Sequence, residues 1–194
     1  MFLFPNDPKF RKIRTLKLKR DTEIYDKPRG SVNDTLIKED QVSINSHVYQ
    51  IGPNVAANKT VRIVMDRAYV KQLPEYGTDT ITMCPLNVLL VHTLRVHNPW
   101  IKILFDQMVD VTLVVIYNRQ SSFGNRLHDV HIQVANGDVW RPCGFYKGPG
   151  ENHQIIFITC DESVRGNILM IKIQSMPNAK DFLHVCEIEV FEKV

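Results

Sequence analysis

The sequence predicts an all-β protein, a β-sandwich of the jelly-roll type, preceded by an irregular basic extension. Three observations predict it: short apolar runs recur from Gln41 onward, turn-forming residues separate them, and helical periodicity is almost absent. A chain of 194 residues can bury one ordinary core and still carry a tail. We therefore expect the extension at residues 1–40 and the sandwich domain at residues 41–194.

The extension carries the basic charge of the chain. Residues 1–20 hold seven basic residues and one acidic residue, a net charge of +6, whereas the whole chain has +3. This segment is either a solvated tail or a contact for an acidic partner, such as a membrane surface, a nucleic acid or a sulfated glycan. No signal peptide is recognised in it, because "MFLFP" is too short an apolar region and the basic residues follow it. No run is long and apolar enough to span a membrane.

The apolar runs define the expected strands. They are 42–44, 100–105, 111–117, 130–134, 154–159, 168–173 and 185–191. Strict alternation in the last run places Glu187 and Glu189 on one face. A turn near residues 56–69 is the one helical feature that we expect.

One stretch, "VVIYNRQSSFGNRLHDVHIQV", combines two strand patterns with a polar loop. Gly124-Asn125 is a turn signal, and it predicts a hairpin between the two strands. Arg119 and Arg126 flank this turn, and a hairpin needs neither. They are either solvated or they bind something.

The four cysteines do not form a CxxC pair, which argues against a zinc knuckle. Cys143 and Cys160 bracket a segment that resembles a loop followed by a strand, so a bridge between them is compatible with the pattern. Cys84 and Cys186 would then join an early loop to the last strand. An even number of cysteines in an all-β domain favours an oxidising compartment, and four reduced, buried cysteines remain the alternative.

One histidine and two arginines stand at intervals that, together with four short segments, match a known pattern. His92 is followed by 26 residues and then Arg119, and Arg126 stands seven positions further on. "NPW" at 98–100, "YNR" at 117–119, "LHVCEIEVF" at 183–191 and "VSINSHVYQ" at 42–50 accompany them. Together they resemble the F-type lectins, or fucolectins, a branch of the discoidin-like jelly rolls, over nearly the whole domain. The sugar motif of that family is a His, 26 residues, an Arg, one residue, an Asp, four residues, and an Arg or Lys.

The resemblance implies a carbohydrate site made of His92, Arg119 and Arg126, with Phe123 offering its ring to sugar C–H groups. Ser121 takes the place of the motif's Asp, which in the family helps to orient the basic residues. Guanidinium groups and an imidazole suit a hexose, because they present fixed donors to its ring oxygen and hydroxyl groups.

The resemblance also implies a calcium site, with Asp66 and Glu187 as its oxygen ligands. Two other positions that match the family's calcium loop are Ile63 and Ala68, which lack side-chain oxygens. Calcium takes six to eight oxygen ligands, so the sequence favours at most a weak site. No other cofactor is expected.

Further aromatic and histidine residues receive less specific interpretations. His47 is a candidate for lining the sugar site. His128, His131 and His184 are predicted on exposed strand faces or in loops, without a role. The tryptophans, Trp100 and Trp140, are predicted as core or loop anchors.

The predicted function is a lectin that recognises fucose-type glycans in recognition or adhesion, with homo-oligomerisation compatible with it. One alternative is a module that has lost sugar binding and serves as a protein-interaction or structural component. Another is a site retuned to acidic or sulfated glycans. We expect no enzyme, because no catalytic motif is present, and no nucleic-acid partner. The family and the cysteines favour an extracellular protein, and an intracellular one is the alternative.

Overall fold

The computed structural model describes residues 37–38, 41–44, 47–63, 72–84 and 88–193, and their regular structure is almost entirely antiparallel strand. The strands are β1 (Ile37–Lys38), β2 (Gln41–Ile44), β3 (His47–Gln50), β4 (Thr60–Ile63), β5 (Val91–His92), β6 (Trp100–Asn118), β7 (Val130–Asn136), β8 (Val139–Tyr146), β9 (Ile155–Ile173) and β10 (His184–Glu192). The first three form a small sheet, and the others form one sheet in the order β5-β10-β6-β9-β7-β8, with β4 paired to β6. The predicted all-β class is confirmed.

Two 19-residue strands, β6 and β9, pair from Trp100 opposite Lys172 to Tyr117 opposite Ile155. The sequence predicted each of them as two separate strands, and that prediction was wrong. Register shifts between Leu104 and Val109 and between Val111 and Leu113 lie where the apolar pattern is interrupted. Each strand therefore runs through the interruption with a bulge and a bend instead of ending there.

The main core lies on one face of this sheet. It contains Ile101 and Ile103 from the first half of β6, Ile116 from its second half, and Ile132 and Ile171 from β7 and β9. All five are completely buried. Both halves of β6 therefore contribute to one continuous core cluster.

A second apolar cluster covers the opposite face of the sheet centre. Leu90, Leu113, Phe157 and Cys186 belong to it, and a disulfide joins Cys186 to Cys84. The middle strands are therefore buried on both sides, and β10 has a buried residue at every position but its last. This is why the two glutamates of β10, which alternate with apolar residues, are both buried.

The edge strand β8 was not predicted from the sequence. It contains Pro142, a residue that argues against a strand. Among the strands that the structure describes, however, β8 pairs with β7 alone and is the last in the sheet order. An edge strand tolerates a residue without an N–H group. The disulfide between Cys143 and Cys160 ties this edge to β9.

Both disulfides that were inferred from the sequence are present, and they account for all four cysteines. The turn expected near residues 56–69 is only partly present, because β4 occupies Thr60–Ile63 and residues 64–71 lie outside the described residues.

Residues 1–36 also lie outside the described residues, so the boundary of the extension stays a prediction. No helix in the described part is long and apolar enough to cross a membrane.

The two tryptophans lie on strands instead of in the core. Lys102 Nζ stands 4.8 Å from the ring centroid of Trp100 and 4.9 Å from that of Trp140. Both rings are only partly buried, so the prediction of core or loop anchors was wrong.

Candidate functional site

The site is built where β6 ends, at Asn118. The Asn118 side-chain amide donates to the carbonyls of Gly124 and Glu151, each at 2.9 Å, and its Oδ1 accepts from the Arg119 amide at 2.8 Å. One buried side chain therefore holds both the following loop and the start of Arg119. A Cβ on Gly150 would lie 2.6 Å from Asn118 Nδ2, so glycine is required for this close approach.

The loop after Arg119 is not a hairpin turn. β6 and β7 do not pair with each other, and residues Gly124–Arg126 form a short 3-10 helix that begins after Phe123. Phe123 has φ 64° and ψ 24°, a left-handed conformation. Asn152 secures the loop, because its Oδ1 accepts from the Gly124 amide at 2.8 Å and its Nδ2 donates to the Ser121 carbonyl at 3.1 Å. The predicted hairpin was wrong, since the loop leads instead to β7, which pairs with β8 and β9 in the same sheet.

His92 and His184 occupy directly opposite positions on β5 and β10. Their ring centroids are 4.8 Å apart, in an edge-to-face arrangement with an interplanar angle of 69°. His92 Nδ1 is 2.6 Å from the carbonyl oxygen of Thr93. A carbonyl only accepts, so Nδ1 of the neutral ring carries the proton.

Arg119 is 7% exposed and lies against His184. Its Nη1 donates to His184 Nδ1 at 3.2 Å, and His184 Nε2 donates to the Phe123 carbonyl at 3.2 Å. A guanidinium cannot accept, so these two contacts together place the proton of His184 on Nε2. The Nε atom of Arg119 is buried and has no hydrogen-bond partner among the described residues.

The Arg126 guanidinium lies over two phenyl rings. Its Cζ lies 4.1 Å from the ring centroid of Phe123 and 4.6 Å from that of Phe182. Phe123 also lies 5.4 Å from Arg119 Cζ, and Phe182 meets the ring of His92 edge-on at 5.4 Å. Contact with two aromatic rings restrains the Arg126 guanidinium, whose N–H groups remain donors for a ligand.

Burial makes both histidines poor bases. It lowers the pKa of His92 to about 4 and that of His184 to about 3, and the positive charges of Arg119 and Arg126 act in the same direction. Both rings are therefore neutral at pH 7. Burial also lowers the pKa of Arg119, as does the adjacent Arg126. The site thus presents two cations and two neutral imidazoles.

Neither the protein-family models nor the curated proteins contain a match to this sequence. Solved structures do resemble it. A serum f-lectin (fucolectin) from striped bass, Morone saxatilis, has a TM-score of 0.64 and 19% identity, over 75% of this chain and 50% of that one. A mutant lectin binding domain of lectinolysin, complexed with Lewis b, has a TM-score of 0.62 and 16% identity, over 74% of this chain and 98% of that one.

The fold is that of the F-type lectins and their discoidin-like relatives. The family 32 module of Clostridium perfringens NanJ, in complex with galactose, shares the same F-type lectin-like architecture, with a TM-score of 0.59 and 15% identity over 72% of this chain and 97% of that one. The predicted jelly-roll sandwich is thereby confirmed.

On this F-type lectin fold, four of the sequence-predicted site residues lie together. His92, Arg119, Phe123 and Arg126 form a contiguous cluster through ring and guanidinium contacts. Ser121 lies on the same loop and is exposed, and its backbone carbonyl accepts from Asn152. The cluster brings hydrogen-bond donors and aromatic surface to one place at the end of β6.

Two members of the cluster were missed by the sequence analysis. His184 was predicted to be exposed and is completely buried, and Phe182 was not considered. The pairing of His184 with His92 across two strands distant in sequence could have been found only from the register of β5 against β10. His131 is exposed on β7, as expected, and the side chain of His47 lies outside what the structure describes.

The predicted calcium ligands are only partly described. Glu187 is completely buried; its Oε1 accepts from the Thr80 amide at 3.1 Å, and its Oε2 has no hydrogen-bond partner among the described residues. Burial raises the pKa of Glu187 to about 9, and the nearby Asp79 and Glu189 carboxylates act in the same direction. Asp66 lies outside the described residues, within which no group of three or more His, Cys, Asp or Glu side chains could hold a metal ion. One carboxylate alone does not make a calcium site, so calcium stays a prediction.

Proposed function

We propose that this protein is a lectin that binds fucose-type glycans through His92, Arg119 and Arg126, with Phe123 and Phe182 as the apolar part of the site. The observation that carries this proposal is the convergence of two guanidinium groups, one imidazole and two phenyl rings at the end of β6. The shared fold supports it.

The chemistry of the cluster suits a deoxyhexose. Sugar hydroxyls donate and accept, whereas the ring oxygen only accepts, so guanidinium N–H groups can serve both kinds of atom. Arg126 is restrained by stacking, and Arg119 is restrained by His184, so little side-chain entropy is lost when a sugar binds. Phe123 is 51% exposed, and such a ring can pack against the C–H groups and the methyl group of fucose.

The solved structures of similar fold support a glycan ligand. Their descriptions name Lewis b, fucose-binding modules of Streptococcus pneumoniae, and galactose. These descriptions are of binding proteins, which supports a role in recognition without catalysis. The two disulfides support an oxidising, extracellular setting.

The proposal is tested by calorimetric titration with L-fucose, with D-glucose as a control for stereochemistry. We expect saturable fucose binding that is weak for a single site and is lost in Arg126→Ala. Arg141→Ala is the matched control, because Arg141 is exposed on β8, far from the cluster in strand order. Thermal melts of both variants confirm that they fold. No binding of fucose, or equal loss in both variants, would contradict the proposal.

A further inference from the structure

Within the described residues, no negative charge balances the two arginines of the sugar site. Arg119 and Arg126 lie close enough for one to lower the pKa of the other. Neither forms an ion pair with any carboxylate in the described part of the chain, where the salt bridges all lie elsewhere. The usual partner for a buried arginine is a carboxylate, because a buried charge without one is costly.

The histidines do not supply the missing charge. His184 accepts from Arg119 and donates to the Phe123 carbonyl, so it serves both neighbours as a neutral ring. His92 directs its Nδ1 proton to the Thr93 carbonyl and is also neutral. The imidazole of His184 therefore solvates Arg119 without neutralising it, and the neutral His92 does not balance the charge either.

The donors of the two arginines are also not all used. The Arg126 guanidinium lies over the rings of Phe123 and Phe182, and no acceptor within the described residues takes a hydrogen bond from it. Arg119, more than nine-tenths buried, retains an Nε–H without an acceptor among those residues. The Nε atom itself is too deeply buried for a ligand to reach, but a ligand that brings several acceptor oxygens and a negative charge would use the N–H groups of Arg126 and balance the charge of the pair.

We propose that this site, if it has the lectin function proposed above, prefers anionic saccharides, in which a sulfate ester or a carboxylate lies beside the bound ring. The planar forks of two arginines match the oxygens of either anion. Ser121 stands two positions after Arg119 and two before Phe123, where the sugar motif of F-type lectins has an Asp. The motif position therefore lacks the acidic group that would compete with an anionic ligand.

The test compares matched neutral and anionic sugars by calorimetry. The pairs are methyl α-L-fucoside with its mono-O-sulfate esters, and D-galactose with D-galacturonate, which separate sulfate from carboxylate recognition. We expect at least one anionic member to bind roughly tenfold more tightly than its neutral partner, because a hydrogen bond to a charged group is the stronger kind. Added salt should reduce this ratio.

Two variants at one position isolate the charge. Ser121→Asp introduces a carboxylate beside the arginines, and Ser121→Asn introduces a side chain of the same size without the charge. We expect Ser121→Asp to bring the anionic-to-neutral affinity ratio close to one, and Ser121→Asn to keep most of it. Melting curves verify that both variants fold. The same ratio in both variants would overturn the proposal.

The other outcomes are distinguishable. If neutral sugars bind and no anionic sugar binds more tightly, the anion preference is wrong and the lectin function stands. If no sugar binds, neutral or anionic, the proposed function itself fails, and this inference with it. Inorganic sulfate should bind far more weakly than the sulfated fucoside, and equal affinity would overturn the saccharide part of the proposal.

Discussion

His184 accepts a hydrogen bond from Arg119 at 3.2 Å and donates one to the carbonyl of Phe123, also at 3.2 Å. One buried ring on β10 thus connects the residue after β6 to the loop that carries the rest of the cluster. His184 is therefore a positioning residue, which acts on the ligand through Arg119 and Phe123.

Replacing His184 by Ala should remove both hydrogen bonds. We expect a fall in stability of about 1 to 3 kcal/mol, because a buried N–H and a carbonyl lose their partners, and roughly a tenfold loss in fucose affinity. His184→Gln has an amide that can accept and donate, so it should recover part of the affinity. Chemical unfolding and calorimetry measure the two effects. Equal affinity in both variants would show that His184 does not position Arg119.

Replacing Phe182 by Leu should remove one of the two phenyl rings that lie against the Arg126 guanidinium. Phe182 is partly exposed, so we expect a small change in stability and a several-fold loss in fucose affinity, since a cation over an aromatic ring contributes about 0.5–1 kcal/mol. Phe145→Leu is the matched control, because Phe145 is also partly exposed, but it contacts His131 on a distant strand pair. A similar loss in both variants would argue against the stacking role.

The buried state of His184 predicts a specific pH dependence. Its pKa is lowered from 6.5 to about 3, so between these values the unfolded chain binds a proton that the folded chain does not. Stability is therefore lost as the pH falls below 6.5. We expect wild-type protein to lose about 2 kcal/mol of unfolding free energy relative to His184→Gln between pH 7 and pH 5. Chemical unfolding of both proteins at the two pH values measures it, and parallel curves would contradict the prediction.

The two disulfides should stabilise the fold unequally. The cysteines of the Cys84–Cys186 disulfide are 102 residues apart in the sequence, and those of the Cys143–Cys160 disulfide are 17 residues apart. The chain-entropy model gives about 4.7 kcal/mol for a loop near the first length and about 3 kcal/mol for one near the second. Unfolding of the two double-serine variants should show this order. Four free thiols in native protein, measured by mass spectrometry, would refute both bridges.

Calcium binding, predicted through Asp66 and Glu187, can be tested with the whole protein. If the site exists, millimolar calcium should raise the melting temperature, because a ligand that binds the folded state stabilises it. Glu187→Gln should abolish the rise, and magnesium serves as the comparison ion. A melting temperature that is unchanged by calcium would dismiss the site.

The parts of the site that were predictable from the sequence are those set by spacing along the chain. His92, Arg119 and Arg126 match a motif of fixed intervals, and Phe123 lies inside it. His184 belongs to the site through strand register, because β5 and β10 bring it opposite His92. Such a relationship depends on pairing between distant segments, which no local pattern specifies.

The fold, like the site, was predictable where it depends on local sequence and not where it depends on pairing between distant segments. The apolar runs were found in the sequence, but each of β6 and β9 was predicted as two strands. Both strands continue through a bulge, and an interrupted apolar pattern resembles the end of a strand. β8 was missed because Pro142 is compatible only with an edge, and edge position is a property of the sheet. The buried faces of Glu187 and Glu189 depend on a second apolar layer contributed by a loop distant in sequence.

The most direct test of the sugar site is NMR of the arginine Nε–H groups during titration with L-fucose. We expect the resonances of Arg119 and Arg126 to shift with a common saturation curve, whereas those of the exposed Arg141 and Arg165 should not move. Saturable shifts confined to other arginines, or none at any fucose concentration, would contradict the claim that this cluster binds the sugar.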